Sequence, residues 1–478
     1  MKWLTRNRIM QKVMSIGVLH ALSKAFGFVR ELMLARLLGV GAYADAFFTS
    51  WRLPSLLRRF LAEGALNAAA VPELMYVANT HNKDAVSRLL TALLCITQLI
   101  LAGILAVVWY KPEAVLWCLV PGWASEEERF IQALVATRWL LLVIIPFSAS
   151  ALLSGGLQTV YHFFVPAASQ VMFNGLLIAH IMLGLYLDMH MWWLVAGIVV
   201  YSFSVLGLHY IVYQRYGFSV LLPQRDTWYR AFRVMSALVP CLITYGAFEI
   251  NMLVDHVLVS YLPVGSQSLL YYTSAFLQVP LSIFAAAFST VLLPHFSAVH
   301  DRPQRQQFYL LEACKTAIWV LLPTMIMMIV FSYRIFETTI MPATASRETI
   351  YTAAWLLACA AAGLVFFGIN RICINMFYSI HRPRYAVGVT ILGTLLNVVL
   401  SIMFMYLFGI VGVICATVIA AISKTAGYVY VLHRYTHIPV LLKRAGEFLW
   451  RFVLQLSITG WLFYGVYWCI AMLLEYVP

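Results

Sequence analysis

Residues 51–66 read WRLPSLLRRFLAEGAL. Four charged side chains, Arg52, Arg58, Arg59 and Glu63, fall in one short stretch of a chain that has very few. The 478 residues are 63% hydrophobic and 11% charged, with a mean hydropathy of +0.85. A soluble domain carries roughly a quarter charged residues, so this composition belongs to a membrane protein. Its apolar segments run to about 20–30 residues, the length of helices that cross a bilayer core. The short alternating segments of a membrane β-barrel are absent from the sequence. A charge at the centre of a membrane helix costs at least ~2.5–3.5 kcal/mol. The charges of residues 51–66 must therefore face protein, water or a ligand.

Thirteen spans follow from the apolar segments: 10–38, 42–76, 87–110, 130–161, 164–187, 191–214, 231–261, 265–299, 314–336, 347–379, 384–408, 410–433 and 448–474. The segment beginning near Val13 lacks a small-residue cleavage site after it and reads as a retained first helix, not a signal peptide. Taking alternate loops places Lys2, Arg6, Arg8, Lys12, Lys83, Arg88, Arg215, Arg225, Arg230 and Arg233, with nine more basic residues, on one side. Only Lys111, Arg129, Arg334 and Arg347 fall on the other, beside the acidic loop GWASEEERF. The positive-inside rule then makes the N-terminus cytoplasmic. This one-sided clustering also accounts for the net charge of +13 without nucleic acid. The eight cysteines form no C-x-x-C pair, so neither a zinc site nor a disulfide framework is expected.

The remaining basic residues lie within spans: Lys24, Arg30, Arg36, Arg52, Arg58, Arg59, Arg138, Arg371 and Lys424. Six of these nine belong to the first two helices. In the second, Asp45, Arg52 and Arg59 recur every seven residues and Glu63 follows four later. Two helical turns take about 7.2 residues, so these groups share a face, approximately, because Pro54 kinks the helix. Two readings stand. In one, Arg30, Arg52, Arg58 and Arg59 line a cationic cavity for an anionic substrate; the planar guanidinium binds phosphate through two contacts and stays charged. In the other, pairs such as Glu31 with Arg36, or Asp45 or Glu63 with an arginine, neutralise one another as buried struts. The cavity reading is favoured for Arg30 and Arg58. Asn251, Asp255 and His256 in the seventh span either face the same cavity or form an interhelical hydrogen-bond network. The tryptophans of HMWWL read as interfacial anchors. No Walker motif, nucleotide fingerprint, metal-ligand cluster or catalytic pairing is present in the sequence, so neither an enzyme nor a bound cofactor is expected.

An internal repeat is visible. WRLPSLLRRFLAEGALNAAAVPEL and LQVPLSIFAAAFSTVLLPHF share a proline, a small-residue stretch and a second proline, with Pro54 and Pro280 226 residues apart. It suggests two six-helix lobes, 1–222 and 227–436, followed by one more helix in 447–478.

The stretch SKAFGFVRELMLARLLGVGAYADAFFTSWRLPSLLRRFLAEGALNAAAVPEL closely resembles the opening of the MurJ (MviN) lipid II flippase family. It carries GF-x-R-[DE], ARLLG, ADAFF, R-x-P-x-LLRR and AEGA before VP. Agreement continues through FEINMLVDHVLVSYL, YYTSAFLQVPLSIFAAAFSTVLLPHFS, RICINMFYSIHRPR and GIVGVICATVIAA, spanning about residues 10–435. The resemblance implies an all-α, polytopic MATE-like fold of two lobes around a central cavity, working by alternating access. It implies a bacterial cytoplasmic membrane protein that moves lipid II, an undecaprenyl-pyrophosphate-linked precursor, outward. Cell-wall synthesis proteins are conceivable further partners. The membrane potential or an ion gradient would supply energy. The family's functional basic residues correspond to Lys24, Arg30 and Arg58, and its acid to Asp45.

The sequence departs from the family at four places. Lys24 replaces the usual Arg. Tyr272–Ala275 reads YTSA where Y-A-D-R is usual, so Ala275 replaces a cavity Arg. FYSIHRPR lacks the usual acid. One helix, not two, follows the core. An exporter of another lipid-linked oligosaccharide and a non-transporting cell-wall scaffold are the alternatives.

Overall fold

The computed structural model describes residues 2–58, 65–125, 127–189, 191–298, 303–339, 346–380, 382–435 and 448–457. These are helical with short connections, and no strand occurs among them. In order the helices are α1 Lys2–Leu38, α2 Ala42–Arg58, α3 Ala65–Thr80, α4 Lys83–Tyr110, α5 Pro112–Leu119, α6 Glu127–Leu141, α7 Ile144–Gln158 and α8 Phe164–Tyr186. They continue as α9 Met191–Arg215, α10 Arg225–Val259, α11 Ser266–Ala298, α12 Pro303–Val330, α13 Ser332–Thr339, α14 Arg347–Ala361, α15 Leu364–Ser379 and α16 Pro383–Tyr435. Residues 448–457 are also helical. Of the terminal span 448–474, residues 458–474 lie outside the described residues, as do Arg59 and Glu63.

Seven segments among the described residues are long and apolar enough to cross a membrane. The chain is a multi-pass membrane protein. Its outward surfaces carry apolar stripes such as Leu392, Leu395 and Val399 on α16, and Leu99, Ile100 and Val107 on α4, all exposed. In water such faces would aggregate; in a bilayer they meet hydrocarbon.

Two anticipated single spans are broken in the middle. The span 130–161 divides into α6 and α7 at Leu142 and Val143, whose amides bond back only three residues, to Trp139 and Leu140, both at 3.2 Å. Pro146 lacks the N–H that would continue the ladder to Leu142, which forces the tighter turn. The span 347–379 divides into α14 and α15 at Ala362 and Gly363, where the Gly363 amide bonds to the Ala360 carbonyl at 3.1 Å. The connection 111–129, which contains the acidic stretch, is also not a plain loop among its described residues. It holds α5, which opens with Pro112 at a first-turn position where a missing N–H is harmless, and a 3-10 turn over Pro121–Ser125.

The spans 384–408 and 410–433 appear as one run, α16, interrupted at Gly409 with φ 58° and ψ −137°. Only glycine adopts that region without strain. A Cβ there would meet no atom within 4 Å, so backbone conformation alone dictates glycine. Gly409→Ala is expected to lower stability by about 1–3 kcal/mol, read as a lower thermal midpoint of the purified protein. An unchanged midpoint would show that the break does not depend on the glycine.

The chain forms two compact units, Met1–Ala275 with Phe336–Ile350, and Phe276–Ile335 with Tyr351–Pro478. In the first, α1 packs on α8, α2 on α6, and α7 on α9 and α4. One buried apolar cluster joins Leu66 and Leu74 of α3, Leu89 and Leu93 of α4, Leu152 of α7 and Tyr213 of α9. Lipid is as apolar as these residues, so close packing, not exclusion of water, holds them together. In the second, α15 packs on α12 and α16. The tryptophans of HMWWL part company. Trp192 is exposed, whereas Trp193 stacks on His180 of α8 with centroids 4.2 Å apart and donates to the His180 carbonyl at 2.9 Å. Trp193 is thus an interhelical contact.

Candidate functional site

The described members of the stripe on α2, Asp45 and Arg52, face protein. At its start Asp45 is fully buried and paired with Arg129 of α6, whose Nη1 donates to Oδ2 at 3.0 Å. The Arg129 guanidinium lies over the Trp123 ring at 4.2 Å. The Asp45 carboxylate also accepts from the backbone amides of Gly265 and Ser268, each at 2.7 Å. Those amides lie at the N-terminal end of α11, Gly265 just before it and Ser268 in its first turn, where N–H groups have no partner inside their own helix and attract negative charge. Asp45 is therefore a strut tying α2 and α6 to the start of α11. The basic residue it pairs with comes from the segment assigned by sequence to the acidic loop.

Two turns further on, Arg52 is close enough to His256 of α10 and Tyr271 of α11 to interact with them electrostatically. His256 and Asp255 are both buried. The His256 carbonyl accepts from Gln267 Nε2 at 2.7 Å, while its Nε2 makes no hydrogen bond among the described residues. The side chain of Asn251 lies outside the described residues.

Arg30 and Glu31 of α1 form the centre of the group. Their side chains are 20% and 17% exposed and form an ion pair with each other. Arg30 Nη1 donates to Asn174 Oδ1 of α8 at 2.9 Å, and Asn174 Nδ2 donates to the Ser23 carbonyl at 3.2 Å. The Tyr271 hydroxyl donates to Glu31 Oε2 at 3.0 Å, and the Tyr271 ring stacks on Phe48 of α2 at 3.8 Å. Arg30 Nε–H makes no hydrogen bond among the described residues. The strut expected between Glu31 and Arg36 does not form, because five residues along a helix is about 140° around it. Arg36 is exposed and donates to the Thr338 carbonyl at 3.3 Å.

Arg58 lies over the Phe147 ring of α7 at 5.6 Å. Phe147 meets Phe173 of α8 edge to face at 5.3 Å, and Phe173 immediately precedes Asn174. Arg30 thus bonds to α8 directly, whereas Arg58 packs on an α7 ring that itself meets α8. Lys24 is exposed on α1, outside this network. In the first unit Arg30 meets Glu31 and Asn174, Arg52 lies near Tyr271 and His256, Arg58 packs on Phe147, and Asp45 is taken up by Arg129. Guanidinium groups held this way, one with a vacant N–H, suit an oxyanion such as phosphate.

A family model described as "Lipid II flippase MurJ" matches residues 34–476. This chain belongs to the MurJ lipid II flippase family. A probable lipid II flippase MurJ of Vibrio cholerae is 26% identical over 475 residues, covering 95% of this chain and 87% of the relative. The lipid II flippase MurJ of Burkholderia cenocepacia is 26% identical over 407 residues, covering 82% and 78%. A solved lipid II flippase MurJ in an inward closed conformation superposes with a TM-score of 0.79 at 22% identity, over 93% of this chain and 91% of that one. An inward-facing multidrug MATE transporter of the MOP superfamily superposes with a TM-score of 0.70 at 13% identity, over 87% and 95%. The all-α MOP fold expected from the sequence is the fold observed, and the family is one of transporters.

Three partners of the charged residues escaped the sequence reading: Asn174, Tyr271 and Arg129. Asn174 had a readable signal, a single amide within the apolar run QVMFNGLL. Tyr271 gave none, since tyrosines are frequent in this chain. Tyr271→Phe is expected to remove one hydrogen bond to a carboxylate, worth about 1.5–3 kcal/mol. It should slow transport several-fold while the stacking on Phe48 keeps the protein folded. Wild-type transport in that variant would remove Tyr271 from the site.

Proposed function

We infer that this chain carries lipid II from the inner to the outer leaflet of the bacterial cytoplasmic membrane, with Arg30, Arg52 and Arg58 receiving the pyrophosphate. The observation that carries the reading is that Arg30 is held by Asn174 of α8 beside Glu31 and Tyr271 with its Nε–H left over. A dianionic diphosphate would compete with Glu31 for Arg30 and occupy its vacant Nε–H. Arg59 and Lys24 would extend the cationic surface, and Glu31, Glu63, Asp255, His256 and Asn251 would gate or tune it. Asp45 would hold the first unit's helices in register as the substrate moves.

The proposed motion is alternating access by two six-helix lobes, 1–222 and 227–436, with the N-terminus cytoplasmic. The repeat is supported by the matched prolines and by the mid-span breaks in the fourth and tenth anticipated spans, at Leu142–Val143 and Ala362–Gly363. The isoprenoid tail would remain in lipid while the head group crosses. The membrane potential or an ion gradient would drive net export. Replacement of the family's helix-eight arginine by Ala275 favours one second reading, another lipid-linked oligosaccharide as cargo.

Complementation separates the two. In a bacterium depleted of its own flippase, expression of this chain should restore growth and the appearance of lipid II on the outer leaflet. Inserted, folded protein that restores neither would move the assignment to a different lipid-linked cargo.

A further inference from the structure

The first unit contains a second feature that the transport group does not use. A cavity of about 350 Å³ opens on its surface between α4, α7 and α9. That volume lies at the low end of ligand pockets, roughly 300–1,000 Å³. Its walls are almost entirely apolar, with Leu94 of α4, Leu153 of α7 and Leu206 and Gly207 of α9 among the lining residues. Phe203 and Val220 at its edge are exposed. The three helices lie in segments long and apolar enough to cross a membrane, which sets the cavity at bilayer depth.

The nearer end of this cavity has a basic rim. Lys83 Nζ donates to the Tyr216 carbonyl at 3.0 Å, so the start of α4 and the end of α9 lie at one membrane surface. That end bears Lys83, Arg88 and Arg215. Leu90 is seven residues along α4 from Lys83, a rise of roughly 10 Å, and Arg88 precedes the lining residue Thr91 by three, on the same helical face. Gln214 Nε2 donates to the Tyr210 hydroxyl at 2.9 Å, adding polar groups at the mouth. Cationic and polar groups at headgroup level above an apolar slot at acyl-chain depth match the two ends of an anionic amphiphile.

We propose that this slot is a binding site for an anionic phospholipid of the adjoining leaflet, with one acyl chain between α4, α7 and α9 and its phosphate at Arg88 and Arg215. The site is separate from the arginine group on α1 and α2 and does not depend on what that group transports. A bound chain would fill space that the α4–α7–α9 contacts leave open and would stiffen this bundle.

Gly207 supplies the test. A Cβ at this position meets no atom within 4 Å and the residue lines the slot, so Gly207→Trp places an indole where the acyl chain would lie. The full-length protein in mild detergent would be irradiated with phosphatidylglycerol carrying a diazirine in its acyl chain, and the labelled peptides mapped. The expected result is labelling within 203–213 of α9. It should fall at least tenfold in Gly207→Trp, and severalfold when phosphatidylcholine carries the diazirine or when Arg88→Gln/Arg215→Gln is used. Labelling of wild-type protein only outside α4, α7 and α9 would overturn the proposal, and this arm needs no variant to fold. Equal labelling by the two lipids would overturn the anionic assignment. Full displacement by an equimolar amount of undecaprenyl pyrophosphate would overturn it in favour of the transported lipid's own tail.

Discussion

Arg30→Ala is expected to reduce lipid II translocation by about ten- to a hundredfold while leaving the protein folded. The number follows from the contacts that Arg30 makes. Hydrogen bonds involving a charged group contribute about 1.5–3 kcal/mol, and each 1.4 kcal/mol is a factor of ten in affinity. The substitution removes the guanidinium that spans Asn174 and Glu31, and with it the N–H left for a phosphate. It also leaves Glu31 with Tyr271 as its hydrogen-bond donor and adds negative character where a diphosphate should bind. Arg30→Lys discriminates charge from geometry. A lysine keeps the charge as a point but loses the planar fork, so it should recover only part of the rate. Glu31→Gln tests the same idea from the other side. If Glu31 holds Arg30 until the diphosphate displaces it, neutralising Glu31 should tighten binding and slow release. Translocation by Arg30→Ala at the wild-type rate would remove Arg30 from the substrate path.

The largest loss of stability is expected at Asp45. Its carboxylate is fully buried and serves Arg129 and two amides at the start of α11, those of Gly265 and Ser268. Asp45→Ala leaves Arg129, itself 2% exposed, as a buried charge without its carboxylate. Breaking a buried pair by removing one partner costs about 3–5 kcal/mol. The orphaned amides of Gly265 and Ser268 add to this. The thermal midpoint should fall steeply, and expression of folded protein with it. The double variant Asp45→Leu/Arg129→Met removes both charges together and should recover part of the loss, because an apolar pair of similar volume replaces a buried ion pair with little penalty. Strong non-additivity of this kind is the signature of direct coupling. An unchanged midpoint in Asp45→Ala would show that the α2–α6–α11 junction does not rely on the strut. Transport by a folded Asp45 variant would then separate this role from substrate handling.

Much of this was legible in the sequence, for reasons that differ from residue to residue. The membrane class follows from composition, and most spans follow from length, because a bilayer imposes a minimum apolar run on any helix that crosses it. The boundary between the eleventh and twelfth anticipated spans was readable because Gly409 interrupts an otherwise continuous apolar stretch. The breaks at Leu142–Val143 and Ala362–Gly363 were hidden, since they interrupt hydrogen bonding without interrupting hydrophobicity. The clustering of charge in the first two helices pointed to Arg30, Arg52 and Arg58. Which carboxylate each arginine meets was not readable, because that depends on partners far along the chain. Asp45 finds Arg129, not an arginine of its own helix pair. Glu31 finds the adjacent Arg30 and a tyrosine 240 residues away, not Arg36. Asn174 could have been singled out as an amide in an apolar helix, but no spacing rule ties it to Arg30.

The measurement that tests the central claim most directly is lipid II translocation in sealed vesicles containing the purified chain, compared with the double variant Arg30→Ala/Arg58→Ala. Both proteins would first be shown to share a thermal midpoint within a few degrees. The account predicts that wild-type vesicles move the lipid-linked head group across the bilayer and that the double variant falls to the rate of protein-free vesicles. Equal rates for the two proteins would contradict it, and so would folded wild-type protein that leaves lipid II where it was inserted.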